Sequence, residues 1–379
     1  MTSAPIKIPL VDLTCQHQPI QTQLETAIQA VIQRGDFVLG KALAEFEAAF
    51  ASACASEYGV GVGCGTEAIA LALSAAGIGS GDEVILPANT FVATLIGVIR
   101  AGATPVLVDC EEETALCDLA AVEKAITSKT RAIIPVHLYG QMVSPRLLID
   151  LAERYNLVII EDAAQAHLAE REGAIAGSFG TAAAFSFYPS KNLGGFGDGG
   201  MVVTRNPDIA RKVRSLRNYG APQKYLHADL GTNSRLDTIQ AAILNVKLPY
   251  LQEWNRQRQQ AAKIYDTLLA PLRSFGIIPI QNYSGKGHVY HLYVIRITND
   301  CPVNRQTLQE KLRQQGIETG IHYPLPCHLQ PAYRYLGYQK GDFPRAETLS
   351  QQILSLPMYP GLTPAQVECV VSAIAAIIS

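Results

Sequence analysis

The residues of this chain that could carry out chemistry gather in the segment FSFYPSKNLGGFGDGG, from Phe185 to Gly200. Its one lysine, Lys191, stands beside glycines that let the backbone approach a bound group closely. An apolar stretch ending in Glu161-Asp162 comes before it. A lysine amine can form an imine with an aldehyde, and a carboxylate can keep a pyridine nitrogen protonated. Lys191 and Asp162 together therefore indicate a site for pyridoxal 5′-phosphate (PLP).

Three further groups suit the same cofactor. Gln165 follows Asp162 by three residues, so it would share a face of a helical turn and could hydrogen-bond the cofactor hydroxyl. Gly65-Thr66 opens a predicted helix, where free backbone N–H groups and the Thr66 hydroxyl form a phosphate cradle. Phe91 follows another strand end and could stack on the ring. Taken singly, Asp162 could be a helix cap, the glycine turn a tight turn, and Phe91 a core residue.

Alternating strands and helices must position these residues between Tyr58 and Thr204. The predicted strands are Tyr58–Val62, Glu83–Leu86, Pro105–Val108, Ala132–Val136, Leu157–Glu161, Ala183–Phe187 and Met201–Thr204. Helices are predicted over Thr66–Ala76, which stops at a glycine, and over Arg146–Tyr155, which follows a Ser-Pro pair. Strands that are apolar throughout and separated by helices predict a mostly parallel sheet covered on both faces.

The pattern changes after Arg211. A helix is predicted from near Asp237 to before Pro249. The other predicted helices are Leu251–Leu269, Arg305–Gln315, Arg345–Leu354 and Pro364–Ile378, and the predicted strands are Tyr290–Ile297 and Ile317–Ile321. The sequence thus predicts a large cofactor-binding domain with an N-terminal arm at residues 1–250, and a small C-terminal domain at residues 251–379.

Composition excludes several classes of function. The 379 residues are 17% charged with a net charge of −2, and no basic block marks a nucleic-acid or membrane-surface protein. No apolar run reaches the roughly 18–20 residues of a membrane span. Eight cysteines without a CxxC pair predict reduced thiols, no metal site and a cytoplasmic location. Met1–Leu13 lacks the pattern of a secretory signal.

Ordered blocks along nearly the whole chain resemble the DegT/DnrJ/EryC1/StrS family of sugar aminotransferases, in the aspartate-aminotransferase fold type I group. The blocks are GCGTEAIALAL, GDEVILPANTFVAT, PVHLYGQM, IIEDAAQAH, FSFYPSKNLGGFGDGG, LRNYG, NSRLDTIQAAIL and IHYPLP. The resemblance implies a three-layer α/β/α large domain with a mostly parallel mixed sheet and a smaller C-terminal α+β domain. It also implies a homodimer with shared active sites.

The resemblance also assigns roles to individual residues. Lys191 would hold PLP covalently, Asp162 would contact the pyridine nitrogen, and the ring would lie between Gln165 and Phe91. The other matching positions contact the phosphate (Gly65, Thr66, Ser186 and, reaching across the dimer, Asn233) or the nucleotide sugar (Tyr188, Lys224, Tyr323 and, as a weaker match, His322).

The activity implied by the resemblance moves an amino group from L-glutamate to a nucleotide-linked ketosugar. The residues around LRNYG favour a dTDP-linked 3-keto-6-deoxyhexose, whose diphosphate would find cations in Lys224, Arg217 and Arg235. Alternatives are a 4-ketosugar or an inositol ketone as substrate, a PLP-dependent lyase or dehydratase on the same scaffold, and a non-catalytic regulator. Family dehydratases replace the lysine with histidine, so Lys191 argues against that branch.

Two histidines and one leucine also enter the interpretation. His137 ends a predicted strand and is interpreted as a hydrogen-bonded structural residue, with a catalytic base as the alternative. His167 could pair with cofactor-bound groups or lie on a helix surface. Leu168 stands where relatives more often have glycine, which predicts a local change in packing.

Overall fold

The computed structural model describes residues 7–379. Its strands are β1 (Tyr58–Val62), β2 (Glu83–Pro87), β3 (Thr104–Val108), β4 (Thr130–Ile133), β5 (Val158–Asp162), β6 (Glu170–Arg171), β7 (Ala174–Ile175), β8 (Ala182–Ser186), β9 (Gly200–Thr204), β10 (Ile277–Pro279), β11 (Tyr293–Ile297) and β12 (Ile353–Leu356). Its α-helices are α1 (Leu13–His17), α2 (Gln21–Arg34), α3 (Lys41–Ala53), α4 (Gly65–Ala75), α5 (Val92–Arg100), α6 (Leu119–Ala125), α7 (Pro145–Tyr155), α8 (Pro207–Leu216), α9 (Thr238–Lys247), α10 (Leu251–Leu269), α11 (Arg305–Gln314), α12 (Pro344–Gln352) and α13 (Pro364–Ile378).

Seven strands form one sheet in the order β1-β9-β8-β5-β4-β2-β3. Strand β9 is antiparallel to both of its neighbours, and the other pairs are parallel. The central strands are buried along almost their whole length, because helices cover both faces of the sheet. The predicted fold class, with its mostly parallel mixed sheet, is confirmed.

The sheet brings the chemistry-bearing residues to one edge. Because β9 lies antiparallel between β1 and β8, strands β1, β2, β5 and β8 all run in the same direction. Their carboxyl ends lead to Gly65, Phe91, Asp162 and Ser186 respectively. In open α/β sheets, ligands bind outside the carboxyl ends of the strands.

A second sheet, in the order β10-β11-β12, is antiparallel. The predicted strand Ile317–Ile321 is wrong, since this stretch makes only single bridges, one to Ile8 and one to Ser355. The predicted helix Arg345–Leu354 runs too far, because its last residues start β12, which pairs with β11. A short buried apolar stretch has the same appearance in a helix end and in a strand, so periodicity could not separate them.

Six helices, α1, α2, α3, α5, α6 and α8, were not predicted from the sequence. Three of them begin with readable caps, each a side chain that accepts two backbone N–H groups: Asp12 at the start of α1, Asp118 at α6 and Asn206 at α8. Other predicted helices agree closely. Ser144 caps α7 through the Leu147 N–H, as its Ser-Pro pair indicated.

The C-terminal region packs directly on the large sheet. Leu292, Val294 and Phe343 belong to the same buried cluster as the strands of the large sheet. Helix α10 begins at Leu251, next to the predicted domain boundary. The division into residues 1–250 and 251–379 stays a prediction.

Three further observations concern membrane spans, cysteines and metal sites. No helix within residues 7–379 combines the length and apolar character that crossing a membrane requires. All eight cysteines are free, and the described part of the chain contains no group of three His, Cys, Asp or Glu side chains that could hold a metal ion. The prediction about Met1–Leu13 lies partly outside the described residues, and the cytoplasmic location stays a prediction.

Candidate active site

A cavity of about 440 Å³ lies at the carboxyl edge of the large sheet. Most residues predicted for the site line it, namely Gly65, Thr66, Phe91, Asp162, Gln165, Ser186, Tyr188, Lys191, His322 and Tyr323. Lys224 and Asn233 do not line it, and both are exposed on the surface. The Lys224 amine instead lies 5.1 Å from the centre of the Tyr225 ring. The predicted roles of Lys224 and Asn233 stay predictions.

Asp162 ends β5 and is held by two hydrogen bonds. The Thr94 hydroxyl donates to Oδ2 at 2.7 Å, and the Ala164 backbone N–H donates to Oδ1 at 3.2 Å. Burial raises the pKa of the Asp162 carboxyl, and these bonds together with the Lys191 charge oppose that shift. The carboxylate is therefore fixed in position and stabilised by any cation that enters the cavity.

Lys191 lies in the turn that follows β8, where its backbone N–H donates to the Tyr188 carbonyl at 2.9 Å. Burial lowers the pKa of the Lys191 amine to about 8, and the nearby Asp162 carboxylate opposes this shift. At pH 7 about one tenth of the amine is therefore unprotonated, which is far more than for an ordinary lysine. The unprotonated form is the nucleophile that an aldehyde requires.

The pKa of Lys191 leads to a prediction about cofactor attachment. In cofactor-free protein, we expect the rate of covalent PLP attachment to rise about tenfold per pH unit below pH 8 and to level off above it, because only the neutral amine attacks. Stopped-flow absorbance of bound PLP measures this rate. A rate that keeps rising towards roughly pH 10, as for an ordinary lysine, would contradict the low pKa.

The start of helix α4 forms an anion site beside Ser186. The first backbone N–H groups of a helix have no partner within the helix and attract negative charge. Gly65 has no side chain at this point, and a Cβ there would lie 2.8 Å from the Ser186 Cβ. The glycine therefore allows α4 to lie close against the end of β8. Together with the hydroxyls of Thr66 and Ser186, this suits a phosphate group.

Gln165 and two aromatic residues form another part of the cavity wall. Gln165 Oε1 accepts from the Tyr139 backbone N–H at 2.7 Å, and its Nε2 donates to the Tyr323 hydroxyl at 3.1 Å. A second Nε2 hydrogen remains for a ligand. The Phe91 and Tyr323 rings lie 5.2 Å apart at the cavity mouth, where Phe91 is 51% exposed. A planar ring could be held here.

Taken together, the residues of the cavity fit PLP. The helix start with its hydroxyls matches the phosphate, the Asp162 carboxylate matches a protonated pyridine, and the Lys191 amine matches the aldehyde. Each of these groups comes from a different element, so the cavity exists only in the folded chain.

His137 and His167 are both buried and hydrogen-bonded within the protein. His137 is buried, with Nε2 at 3.1 Å from the Glu161 carboxylate and Nδ1 accepting from the Val143 N–H. This agrees with the structural interpretation. His167 is fully buried against phenylalanine rings, with Nε2 at 3.0 Å from the Ser186 carbonyl, so the helix-surface alternative is wrong. Burial, and then the Lys191 charge, lower the pKa of His167 to about 3.

Leu168, where the family resemblance favours glycine, has a φ of +61°. In this left-handed region a residue with a Cβ is less stable than glycine by about 1 kcal/mol. The conformation supplies a physical reason for glycine in relatives.

One predicted cation is not available for a ligand. Arg217 is buried, forms an ion pair with Glu47 and donates to the Gly61 carbonyl at 2.7 Å. Its predicted role toward a diphosphate is therefore wrong, because tertiary packing uses its charge. Arg235 donates to Asn218 Oδ1 at 2.8 Å and lies outside the cavity.

Sequence reasoning missed two residues that matter for the site. Thr94 holds Asp162, and His291 lines the cavity although it lies 100 residues after Lys191 in the chain. Thr94 is part of the block GDEVILPANTFVAT, three residues after Phe91, and its place in that block was a usable signal. No local signal marks His291.

Comparison with known proteins gives consistent findings. The model of the DegT/DnrJ/EryC1/StrS aminotransferase family matches residues 18–375. A Streptomyces venezuelae protein named dTDP-3-amino-3,4,6-trideoxy-alpha-D-glucose transaminase is 44% identical over 97% of this chain and 95% of its own. A Geobacillus stearothermophilus protein named pleiotropic regulatory protein is 45% identical over 98% of both chains. The crystal structure of S. venezuelae DesV in complex with a ketimine intermediate matches with a TM-score of 0.93 and 44% identity, over 98% of both chains.

Proposed function

The chain belongs to the DegT/DnrJ/EryC1/StrS aminotransferase family, and we propose that, with PLP as cofactor, it transfers an amino group from L-glutamate to a nucleotide-linked ketosugar. The observation that carries the proposal is the placing of the Lys191 amine and the Asp162 carboxylate in one cavity. Two relatives, at 44% and 41% identity, are named for dTDP-linked 3-amino sugars. These names support a dTDP-3-keto-6-deoxyhexose as the acceptor.

We assign each residue of the site a separate role in the reaction. Bound PLP supplies an electron sink for the carbon that gains or loses the amino group. Asp162 holds the ring nitrogen protonated, and the start of α4 holds the phosphate. Lys191 takes the proton from the substrate carbon and returns it, a role that suits an amine with a pKa of about 8.

The sugar would enter at the mouth of the cavity. Tyr188, 55% exposed, and Tyr323 lie on this side, and His322 lies beside them with its carbonyl accepting from the Tyr139 hydroxyl at 2.6 Å. Since no arginine among residues 7–379 lines the cavity, the diphosphate would need cations from elsewhere. Lys224 and Arg235 of a second subunit are the proposed source.

We expect the functional unit to be a homodimer in which Asn233 completes the partner's phosphate site. If so, mixing Lys191→Ala and Asn233→Ala subunits should restore about a quarter of wild-type activity. Half of randomly mixed dimers are mixed, and each mixed dimer has one intact site. Activity is measured after subunit exchange. No gain over the separate variants, with exchange verified by mass spectrometry, would contradict a shared site.

A turnover panel tests the function. The protein is incubated with PLP, L-glutamate and each of several dTDP- and UDP-linked 3-ketosugars and 4-ketosugars, and the aminosugar is identified by mass spectrometry. We expect product from a dTDP-linked 3-ketosugar together with an equal amount of 2-oxoglutarate. Product from 4-ketosugars alone would reassign the carbon, and no product from any of them would overturn the sugar assignment.

Because the Geobacillus relative is named as a regulatory protein, the alternative function to test is that of a regulator. A regulator that binds PLP as a signal would hold the cofactor without converting it. In the proposed enzyme, L-glutamate should abolish the visible absorbance of bound PLP, and the ketosugar should restore it. An absorbance that stays constant through both additions would favour the regulator.

A further inference from the structure

His291 lies in the wall of the active-site cavity just before strand β11, and the proposed function gives it no role. The residue is only 7% exposed, and its Nδ1 lies 3.2 Å from Asn192 Oδ1. Asn192 directly follows Lys191 in the chain. The contact therefore joins the turn that carries the reactive lysine to the C-terminal region.

The hydrogen bonds of Asn192 determine which nitrogen of His291 carries the proton. Asn192 Nδ2 donates to the Val289 carbonyl at 2.9 Å and to Asn255 Oδ1 at 2.8 Å. Because a carbonyl can only accept, the amide of Asn192 has one possible orientation. Its Oδ1 faces His291 and can only accept as well. His291 Nδ1 is therefore the protonated nitrogen.

The other ring nitrogen is a free acceptor. Burial, and then the charge on Lys191, lower the pKa of His291 well below its usual value, so the ring is neutral. A neutral imidazole with its proton on Nδ1 has a lone pair on Nε2. Within residues 7–379, Nε2 makes no hydrogen bond. It is also not one of the fully buried side-chain atoms without a partner, so part of its surface is accessible. His291 Nε2 is thus a hydrogen-bond acceptor in the cavity wall, to which a ligand can donate.

We infer that His291 Nε2 accepts a hydrogen bond from a ring hydroxyl of the ketosugar, on a carbon beside the keto group, and thereby selects sugars that carry this hydroxyl. The inference rests on the proposed function. The keto oxygen and the carboxylates of L-glutamate only accept, so a lone pair in the wall does not bind them. A sugar hydroxyl can donate. We place this hydroxyl beside the keto carbon because His291 lies 3.2 Å from Asn192, the residue that follows Lys191.

Two substitutions separate this role from a structural one. In His291→Asn the amide nitrogen replaces Nδ1, so the bond to Asn192 is kept and the acceptor is lost. In His291→Gln the amide oxygen replaces Nε2, so the acceptor is kept and the bond to Asn192 is lost. With dTDP-3-keto-6-deoxyglucose as probe, we expect kcat/KM to fall about 10- to 100-fold in His291→Asn, because a substrate hydroxyl is left unpaired. His291→Gln should recover most of this loss.

Deoxy probes complete the test. Analogues of the same sugar without the C2 or the C4 hydroxyl are compared with the parent in wild type and in His291→Asn. We expect wild type to favour the parent over one analogue by about 10- to 100-fold, and His291→Asn to lose this preference. The glutamate half-reaction, followed by cofactor absorbance, should not share the loss.

Three outcomes would decide against the inference. A His291→Asn variant that keeps the wild-type preference would overturn it, and so would a His291→Gln variant that is more impaired than His291→Asn, since that order indicates a structural role. The thermal midpoint and bound PLP of both variants show whether they are folded. A wild-type protein that converts none of the ketosugars would overturn the proposed function, and the inference with it.

Discussion

Replacing Lys191 with alanine should abolish turnover, with a fall in kcat of about 10⁴-fold or more. The substitution removes both the covalent attachment of the cofactor and the amine that moves the proton, and a positioned acid–base group alone contributes about 10²- to 10⁴-fold. The fold should persist, because the strands and glycines around position 191 are unchanged. Turnover with L-glutamate and the ketosugar, together with the thermal midpoint, measures both effects.

The matched control for this variant is Lys263→Ala. Lys263 is exposed on α10, outside the cavity, so its removal should leave turnover near the wild-type value. Lys191→Ala protein that retains turnover, after contamination by wild type is excluded, would remove the basis of the proposed function.

Replacing Asp162 with asparagine should lower kcat by about 10²- to 10³-fold while the protein stays folded. Asparagine has almost the same shape, and its side-chain oxygen can still accept from Thr94 or the Ala164 N–H, the two donors that now hold the carboxylate. It cannot supply the negative charge that keeps the ring nitrogen protonated, and fixed charges of this kind contribute effects of this size. Single-turnover rates with L-glutamate measure the loss directly.

The control variant Thr94→Val separates charge from position. It removes the hydroxyl that donates to Asp162 at 2.7 Å but keeps the carboxylate, so we expect a loss of only about tenfold. Equal losses in Asp162→Asn and Thr94→Val would show that position and not charge is responsible. Wild-type rates in Asp162→Asn would refute the role of this carboxylate.

The sequence predicted those parts of the site that follow from the order of neighbouring strands and helices along the chain. Asp162 and Ser186 end strands, and Gly65 begins a helix after a strand, so their common edge follows from the parallel arrangement. The apolar strands themselves were recognised because both faces of the sheet are buried.

Other features depend on tertiary contacts between distant segments. Arg217 looked like a free cation, but its partner Glu47 lies 170 residues earlier in the chain. His291 lines the cavity because the segment before β11 contacts the turn of Lys191, and its tautomer depends on Asn192, 99 residues away. The false strand at Ile317–Ile321 also depends on distant segments, since this stretch lies against Ile8 and Ser355 but makes only a single bridge to each.

Reduction of the PLP-loaded protein with borohydride, followed by peptide mass mapping, shows directly whether Lys191 holds the cofactor. Borohydride makes a lysine–PLP link permanent, so the modified residue can be read from the fragment masses. We expect one pyridoxyl group per chain, on Lys191 within the peptide that contains FSFYPSKNLGGFGDGG. A modification on another lysine, or none at all in protein that turns over, would contradict it.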